Sequence, residues 1–441
     1  MASKSFLLLM VCSILSVTFP LTSQASFRPK ALVLPVAKDS STLQYLATLH
    51  QRTPLVPVKL TLDLGGEFLW VDCNQSFSSS TYSPVHCRSA QCSQAPGAPH
   101  KFCSTCLSRA RPGCSNNTCS LIAKNTVIQF VTNADLSRDV VSAKSTDGSR
   151  PGRAVSVPGF VFSCTYTFLL EGLASGVKGM AGLGRAGTSL PSQFSASFRF
   201  ARKFAICLSP SSSSSGVAFF GDGPYMMRPG IDVSKFLYYT PLVTNPVNSV
   251  PGQVGNRSAE YYIELKTIAV NGKPVPLNSS LLVIDKEGYG GTKISTVDPY
   301  TVLETSIYKA VVGAFTKGLS QAPRVAPIKP FGECFDSRNI SSTRAGPAVP
   351  RIDLFLPSMD RKRVSYWMMS GVNSMVQVKE GVMCLGIVDG GLKPVTPVVI
   401  GGHQLENHLL QFDLASSALG ISSSLLLRQT TCSNFNFNPK A

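Results

Sequence analysis

The chain has 441 residues, 44% of them hydrophobic and only 15% charged, a composition that excludes wholesale disorder and can fill roughly two or three well-buried cores. Its 41 Lys and Arg against 24 Asp and Glu give a net charge of +17, which favours acidic partners. The basic residues are scattered, with Arg361-Lys362-Arg363 as the tight run, and this argues against nucleic acid as a target.

Residues 1–25 carry one charge, Lys4, followed by FLLLMVCSILSVTF and small residues at Ser23 and Ala25, the pattern of a secretory signal peptide. That run is too short for a comfortable membrane span, and no later stretch approaches the roughly 20 apolar residues a spanning helix needs. Removing the segment takes only Lys4 and leaves 40 cations against 24 acids, or +16. Beyond Cys12 stand twelve cysteines: Cys73, Cys87, Cys92, Cys103, Cys106, Cys114, Cys119, Cys164, Cys207, Cys334, Cys384 and Cys432. An even number is what full disulfide pairing in an oxidising compartment requires. Sequons at Asn74, Asn116, Asn256, Asn278 and Asn339 fit the same route, so an extracellular glycoprotein is expected. Acidic cell-wall polysaccharide or the acidic cleft of another protein would suit its charge.

In chain order, LTLDLGGEFLWVDC (60–73) is an alternating strand that delivers Asp63 into a turn at Gly65 and Gly66. A lone Asp beside Gly usually caps its own backbone, and a catalytic reading needs a second carboxylate elsewhere. Residues 87–119 look like an insertion held by its own disulfides rather than by a core. Cys103-Ser-Thr-Cys106 with Cys114 and Cys119 has metal-like spacing, but in a secreted chain with even cysteines it reads as disulfide; no metal or cofactor is expected. Apolar residues three or four apart predict helices over 189–198 and 305–319, and Ser211 to Ser215 reads as a solvated hairpin tip. Elsewhere Val, Ile, Leu and Phe alternate between turns drawn from 35 Gly and 30 Pro, so the fold class is mostly β.

A weak internal repeat organises these strands. LTLDLGGEFLW is followed by KGMAGLGR (178–185), whose Gly182 and Gly184 let backbone pass close to the Asp63 turn; GGTKISTVDPYTVL (290–303) is followed by PVVIGGHQL (397–405) in the same plan. Two similar halves imply two lobes facing a cleft.

These motifs, with FVFSC (160–164), SLPSQF, FLYYTPLV, YYIELKTIAVNGK and VVIGGHQLENHLLQFDL in order, resemble the pepsin-like aspartic proteases of the plant branch that has many disulfides, over essentially the whole mature chain. The resemblance implies a bilobal pepsin-like fold: signal peptide 1–25, N-terminal lobe 26–225 with the insertion at about 87–119, C-terminal lobe 226–441. It also implies Cys73 with Cys164, Cys207 with Cys432 and Cys334 with Cys384, leaving the six cysteines of 87–119 to pair locally in any of 15 ways.

The chemistry of that family needs two carboxylates sharing one proton and holding one water. Here Ser295 stands at the second aspartate's place, and a serine hydroxyl is no general base near neutral or acid pH. Leu64 and Gly66 replace hydroxyl residues of the first turn, Val297 replaces the glycine of the second, and no tyrosine occurs from Ser83 to Thr165, where the family's flap carries one. Asp298 is three residues too late to substitute, since misplacement by an ångström is costly in catalysis. Asp63 and Ser295 are therefore read as vestigial, and the chain as a non-proteolytic homologue.

Within the branch, SFRPKALVLPV (26–36), SLPSQFSASFRFARKFAICL (189–208), VIGGHQLENHLLQFDL (399–414) and TTCSNFNF (430–437) resemble the xyloglucan-specific endoglucanase inhibitors and extracellular dermal glycoproteins. That resemblance implies a secreted protein of the apoplast or cell wall that inhibits a microbial cell-wall-degrading endoglucanase. A retaining glucanase holds two carboxylates about 5 to 5.5 Å apart, which an inserted arginine can engage with both arms of its fork. Arg324, in APRVAPIKPFG (322–332), stands in a loop resembling an arginine-bearing inhibitory loop, and Lys393, in DGGLKPVTP (389–397), stands where related inhibitors carry an arginine. Two other readings are a basic globulin-like storage or peptide-binding protein, which shares the fold and the lost dyad, and an active aspartic endopeptidase, which needs an acid that is not there.

Overall fold

A computed structural model describes residues 27–74, 77–95, 102–248, 256–360 and 364–438. The signal segment 1–25, with Cys12, and the run Arg361-Lys362-Arg363 lie outside the described residues.

The halves of the chain meet in one six-stranded antiparallel ladder. On one side Ala31–Lys38 pairs with Gly216–Gly221, which pairs with Lys203–Cys207. Lys203–Cys207 then pairs with Leu409–Asp413 of the second half, followed by Ala418–Ile421 and Tyr238–Val243. Each half thus supplies three strands. The seam is aromatic: Phe204 and Phe412 stack with ring centroids 4.7 Å apart, and Tyr261 packs on Phe412 at 4.5 Å. Such contacts add about 0.5 to 1.5 kcal/mol each beyond the area they bury. The serine run joins the two paired strands Lys203–Cys207 and Gly216–Gly221 as their hairpin connection.

Above this floor the repeat becomes visible as two equivalent crossings. Val56–Asp63 runs parallel to Gly179–Gly182, and Thr292–Ile294 runs parallel to Val398–Ile400. Glycine is needed at the first crossing because a Cβ on Gly182 would stand 2.5 Å from the Phe68 carbonyl and 2.6 Å from that of Gly66. At the second, a Cβ on Gly401 would stand 2.2 Å from the Tyr300 carbonyl.

The two predicted helices form over Leu190–Phe198 and Thr305–Gly318. The second buries Ile307, Val311, Val312 and Phe315 on one face, and the Glu304 carboxylate accepts the backbone N–H groups of Ser306 and Ile307 at its start.

Six disulfides join Cys73 to Cys164, Cys207 to Cys432, Cys334 to Cys384, Cys87 to Cys103, Cys92 to Cys119 and Cys106 to Cys114. The insertion is not held by disulfides alone, which corrects the sequence reading. Cys92 and Cys119 sit in a hydrophobic cluster with Phe68, Trp70, Val85 and Leu121, so this stretch shares the first lobe's packing. The alternation of small polar residues around its cysteines hides that buried edge.

Candidate functional site

The two turns of the repeat face each other where the lobes meet. Thr296 proves the contact: its hydroxyl donates to the Leu62 carbonyl at 2.8 Å and accepts the Leu64 N–H at 3.2 Å. The reciprocal grip is missing, because Leu64 stands at the matching place in the first turn and is fully buried.

Asp63 is buried and committed to its own surroundings. Its Oδ1 accepts the Gly65 N–H at 2.8 Å, and its Oδ2 accepts the Thr126 hydroxyl at 2.8 Å from the turn after the strand Thr118–Asn125. Burial pushes its pKa up, with the nearby Glu260 charge adding to the rise, against the pull of the Thr126 and Gly65 donors and of Lys124. Ser295 supplies no second carboxylate: its Oγ accepts the N–H groups of Val297 at 3.2 Å and Asp298 at 3.1 Å, closing its own turn.

Sequence reasoning missed the charges that fill this place. Glu260 leans over the first turn, so a Cβ on Gly65 would stand 2.9 Å from its Cγ. Its Oε1 accepts from Lys293 Nζ at 2.9 Å, and its Oε2 from the Ser258 and Tyr262 hydroxyls at 3.2 and 3.1 Å. Burial alone would raise the Glu260 pKa, but Lys293 and Lys124 outweigh it and hold the carboxylate below its usual range. Burial likewise works against charge on Lys293, and Glu260 overrides it and raises the ammonium pKa. Lys124 differs: burial wins there and lowers it. The only signal in the sequence is Glu260 directly before an apolar strand, which reads as an ordinary polar flank.

The outer loops are a second region. Arg324 begins a two-residue strand that pairs with Cys334–Asp336, beside the Cys334–Cys384 bridge. Its side chain is exposed, and its Nε and Nη2 donate to the Glu333 carboxylate at 2.9 and 2.6 Å. The fork thus has one edge taken, while Nη1 has no partner among the described residues. Lys393 is exposed on a backbone with φ of 56°, the left-handed region, between exposed Leu392 and Val395, and makes no ion pair among the described residues. Neither Arg324 nor Lys393 bonds to the Asp63 turn, although Pro394 and Val395 beside Lys393 line the same hollow as Glu260.

Asn74, Asn116, Asn278 and Asn339 are exposed. Asn256 is half-buried, with its Nδ2 enclosed. The six disulfides leave no thiolate among the twelve cysteines for a metal.

Comparison with known proteins follows the same two halves. Residues 45–222 match the family model described as xylanase inhibitor N-terminal, and residues 260–423 the one described as xylanase inhibitor C-terminal. A probable aspartic proteinase, GIP2 of Nicotiana benthamiana, is 56% identical over 432 residues, covering 97% of each chain. Gamma conglutin 1 of Prunus dulcis is 45% identical over 411 residues, covering 93% of this chain and 90% of its own. The crystal structure of edgp superposes with a TM-score of 0.90 at 55% identity, covering 94% of this chain and 99% of that one.

Proposed function

The chain belongs to the family of the xylanase inhibitor N-terminal and C-terminal domains, pepsin-like in fold, and on that premise we propose that it is a secreted inhibitor of microbial cell-wall-degrading glycoside hydrolases. The observation that carries this reading is the turn opposite Asp63, where a serine hydroxyl is spent on two backbone N–H groups. With no second carboxylate to share a proton, the water of an aspartic protease has no base on that side. Peptide hydrolysis is lost, and the exposed loops carry the function.

The proposed target is a xyloglucan-specific endo-β-1,4-glucanase, met by the second lobe, which we take to begin near residue 226. Arg324 enters the enzyme cleft with its Nη1 edge forward while Glu333 holds the other edge, so little side-chain freedom is lost on binding. Lys393 adds a point charge. The net charge of the chain speeds encounter with a carboxylate-lined cleft.

Pre-incubating such an endoglucanase with the purified protein and following reducing ends released from xyloglucan tests this. Loss of activity is expected with rising protein concentration, and full activity at micromolar protein contradicts the proposal. The likeness to gamma conglutin supports a second reading, a basic globulin-like storage or peptide-binding protein, and the same full activity would favour it.

A further inference from the structure

One exposed apolar surface lies at the rim of the inter-lobe cleft. Val247, Val283, Tyr289, Leu392 and Val395 are all exposed, Tyr289 by 53% and Leu392 by 78%. They come from three separate loops that touch. A Cβ on Gly288 would stand 2.8 Å from that of Val247, Gly290 lies against the Val283 carbonyl, and the Gly290 N–H donates to the Val395 carbonyl at 2.9 Å. Contiguous apolar groups in water mark a contact surface more often than scattered ones do.

The backbone beneath Tyr289 is unusually fixed. The Tyr289 N–H donates to Asp285 Oδ1 at 2.8 Å, the Asp285 N–H donates to the Tyr289 carbonyl at 2.8 Å, and Asn245 Nδ2 donates to the Gly288 carbonyl at 2.8 Å. Gly288, Gly290 and Gly291 all have φ between 83° and 100°, a conformation open to glycine and costly to other residues. The Tyr289 hydroxyl has no partner among the described residues. A rigid aromatic ring held out in water loses little freedom when it binds, which is the character of an interface anchor.

Beside it opens a hollow of about 490 Å³, walled by Tyr289, Val247, Pro394 and Val395, with Gln129 of the first lobe opposite. The charges at its floor, Lys293 and Glu260, are paired with each other. Lys124 and Asp298 also line the hollow, and the exposed apolar side chains at its rim suit an apolar ridge. Lys393 stands beside the rim on the loop that Gly290 holds and makes no ion pair among the described residues.

We infer that Tyr289 is the apolar anchor of the surface that meets the target glycoside hydrolase, seated against aromatic rings that line the edge of the enzyme's sugar cleft while Lys393 faces its carboxylates. This rests on the inhibitor reading above and adds to it the hydrophobic contact that two loop cations cannot supply.

Binding of wild type, Tyr289→Ala, Tyr289→Phe, Tyr366→Ala and Arg324→Ala to a xyloglucan-specific endo-β-1,4-glucanase and to an endo-β-1,4-xylanase, by titration calorimetry, tests it. Tyr366 is a similarly exposed tyrosine in a separate groove lined by Leu237 and Met359. For the enzyme that binds, Tyr289→Ala should weaken affinity by roughly 30-fold or more. Tyr289→Phe should stay within about threefold and Tyr366→Ala should leave affinity unchanged, since neither removes the anchor ring. Wild-type affinity in Tyr289→Ala, with Arg324→Ala weakened, overturns the anchor and leaves the inhibitor reading standing. No binding of wild type to either enzyme overturns both. If Tyr289→Ala melts below wild type, hydroxyl-radical footprinting of the wild-type complex decides: protection of Tyr289 supports the anchor, and unchanged oxidation overturns it.

Discussion

The turn at Asp63 and the turn at Ser295 descend from one repeated plan and have lost opposite parts of it. The first keeps its carboxylate and has Leu64 where a hydroxyl would grip the other lobe. The second keeps the gripping hydroxyl, Thr296, and has Ser295 where the carboxylate would be. What survives on each side is the part with a structural task. Asp63 satisfies the Gly65 N–H and the Thr126 hydroxyl, and Thr296 satisfies the backbone on both sides of Asp63. The difference teaches that each turn can keep its architectural role while the pair of facing carboxylates is absent.

That comparison predicts unequal costs. Thr296→Val should cost about 4 kcal/mol, because it strands a buried carbonyl and a buried N–H in the opposite lobe, each worth roughly 1 to 3 kcal/mol; denaturant melts of the two proteins would show it. Equal stability would mean the grip contributes nothing.

A pH scan sharpens the background for such melts. His408 is buried, its Nδ1–H donates to the Ser422 carbonyl at 3.0 Å, and burial pulls its pKa down to about 4. A histidine depressed in the folded state contributes stability that is whole above its unfolded pKa of about 6.5 and is lost as pH falls toward 4, here about 3 kcal/mol. His408→Gln should flatten the stability profile between pH 6.5 and 4, and an unaltered slope would assign the loss elsewhere.

Much of this arrangement was legible in the sequence, and the reasons are local. Period-two alternation and the glycines after Asp63 and before His403 announce strands that cross closely, so the repeated lobes could be read, as could both helices from their spacing. The contents of the cleft could not. Glu260 reaches Gly65, and Lys293 reaches Glu260, only through long-range packing that no periodicity encodes. Arg324 was legible as a loop cation, whereas its pairing with Glu333 depends on the register of a hairpin pinned by Cys334 and Cys384. Tyr289 stands between glycines, GYGG, in a run that reads as flexible, yet Asp285 and Asn245 fix it.

Smaller effects are expected within each turn. Ser295→Ala should cost about 1 to 2 kcal/mol, since two turn N–H groups lose their acceptor but can reach water more readily than the groups beneath Thr296; a cost matching that of Thr296→Val would erase the distinction between the turns. Asp63→Asn should be the mildest. Because the folded state raises the Asp63 pKa, the ionised carboxylate weakens the fold as pH rises through that value, so the amide should be slightly stabilising at pH 7 and neutral at acid pH. Destabilisation at pH 7 would mean that the charge itself is needed.

The central claim, that the cleft is spent and the outer loops act, is tested most directly by the inhibition constant of a xyloglucan-specific endoglucanase for wild type, Asp63→Asn and Arg324→Ala measured together. The account predicts an unchanged constant for Asp63→Asn and a loss of roughly 2 to 5 kcal/mol for Arg324→Ala, the range for truncating one partner of a buried charge pair. An unchanged constant for Arg324→Ala together with loss of inhibition in Asp63→Asn would contradict it.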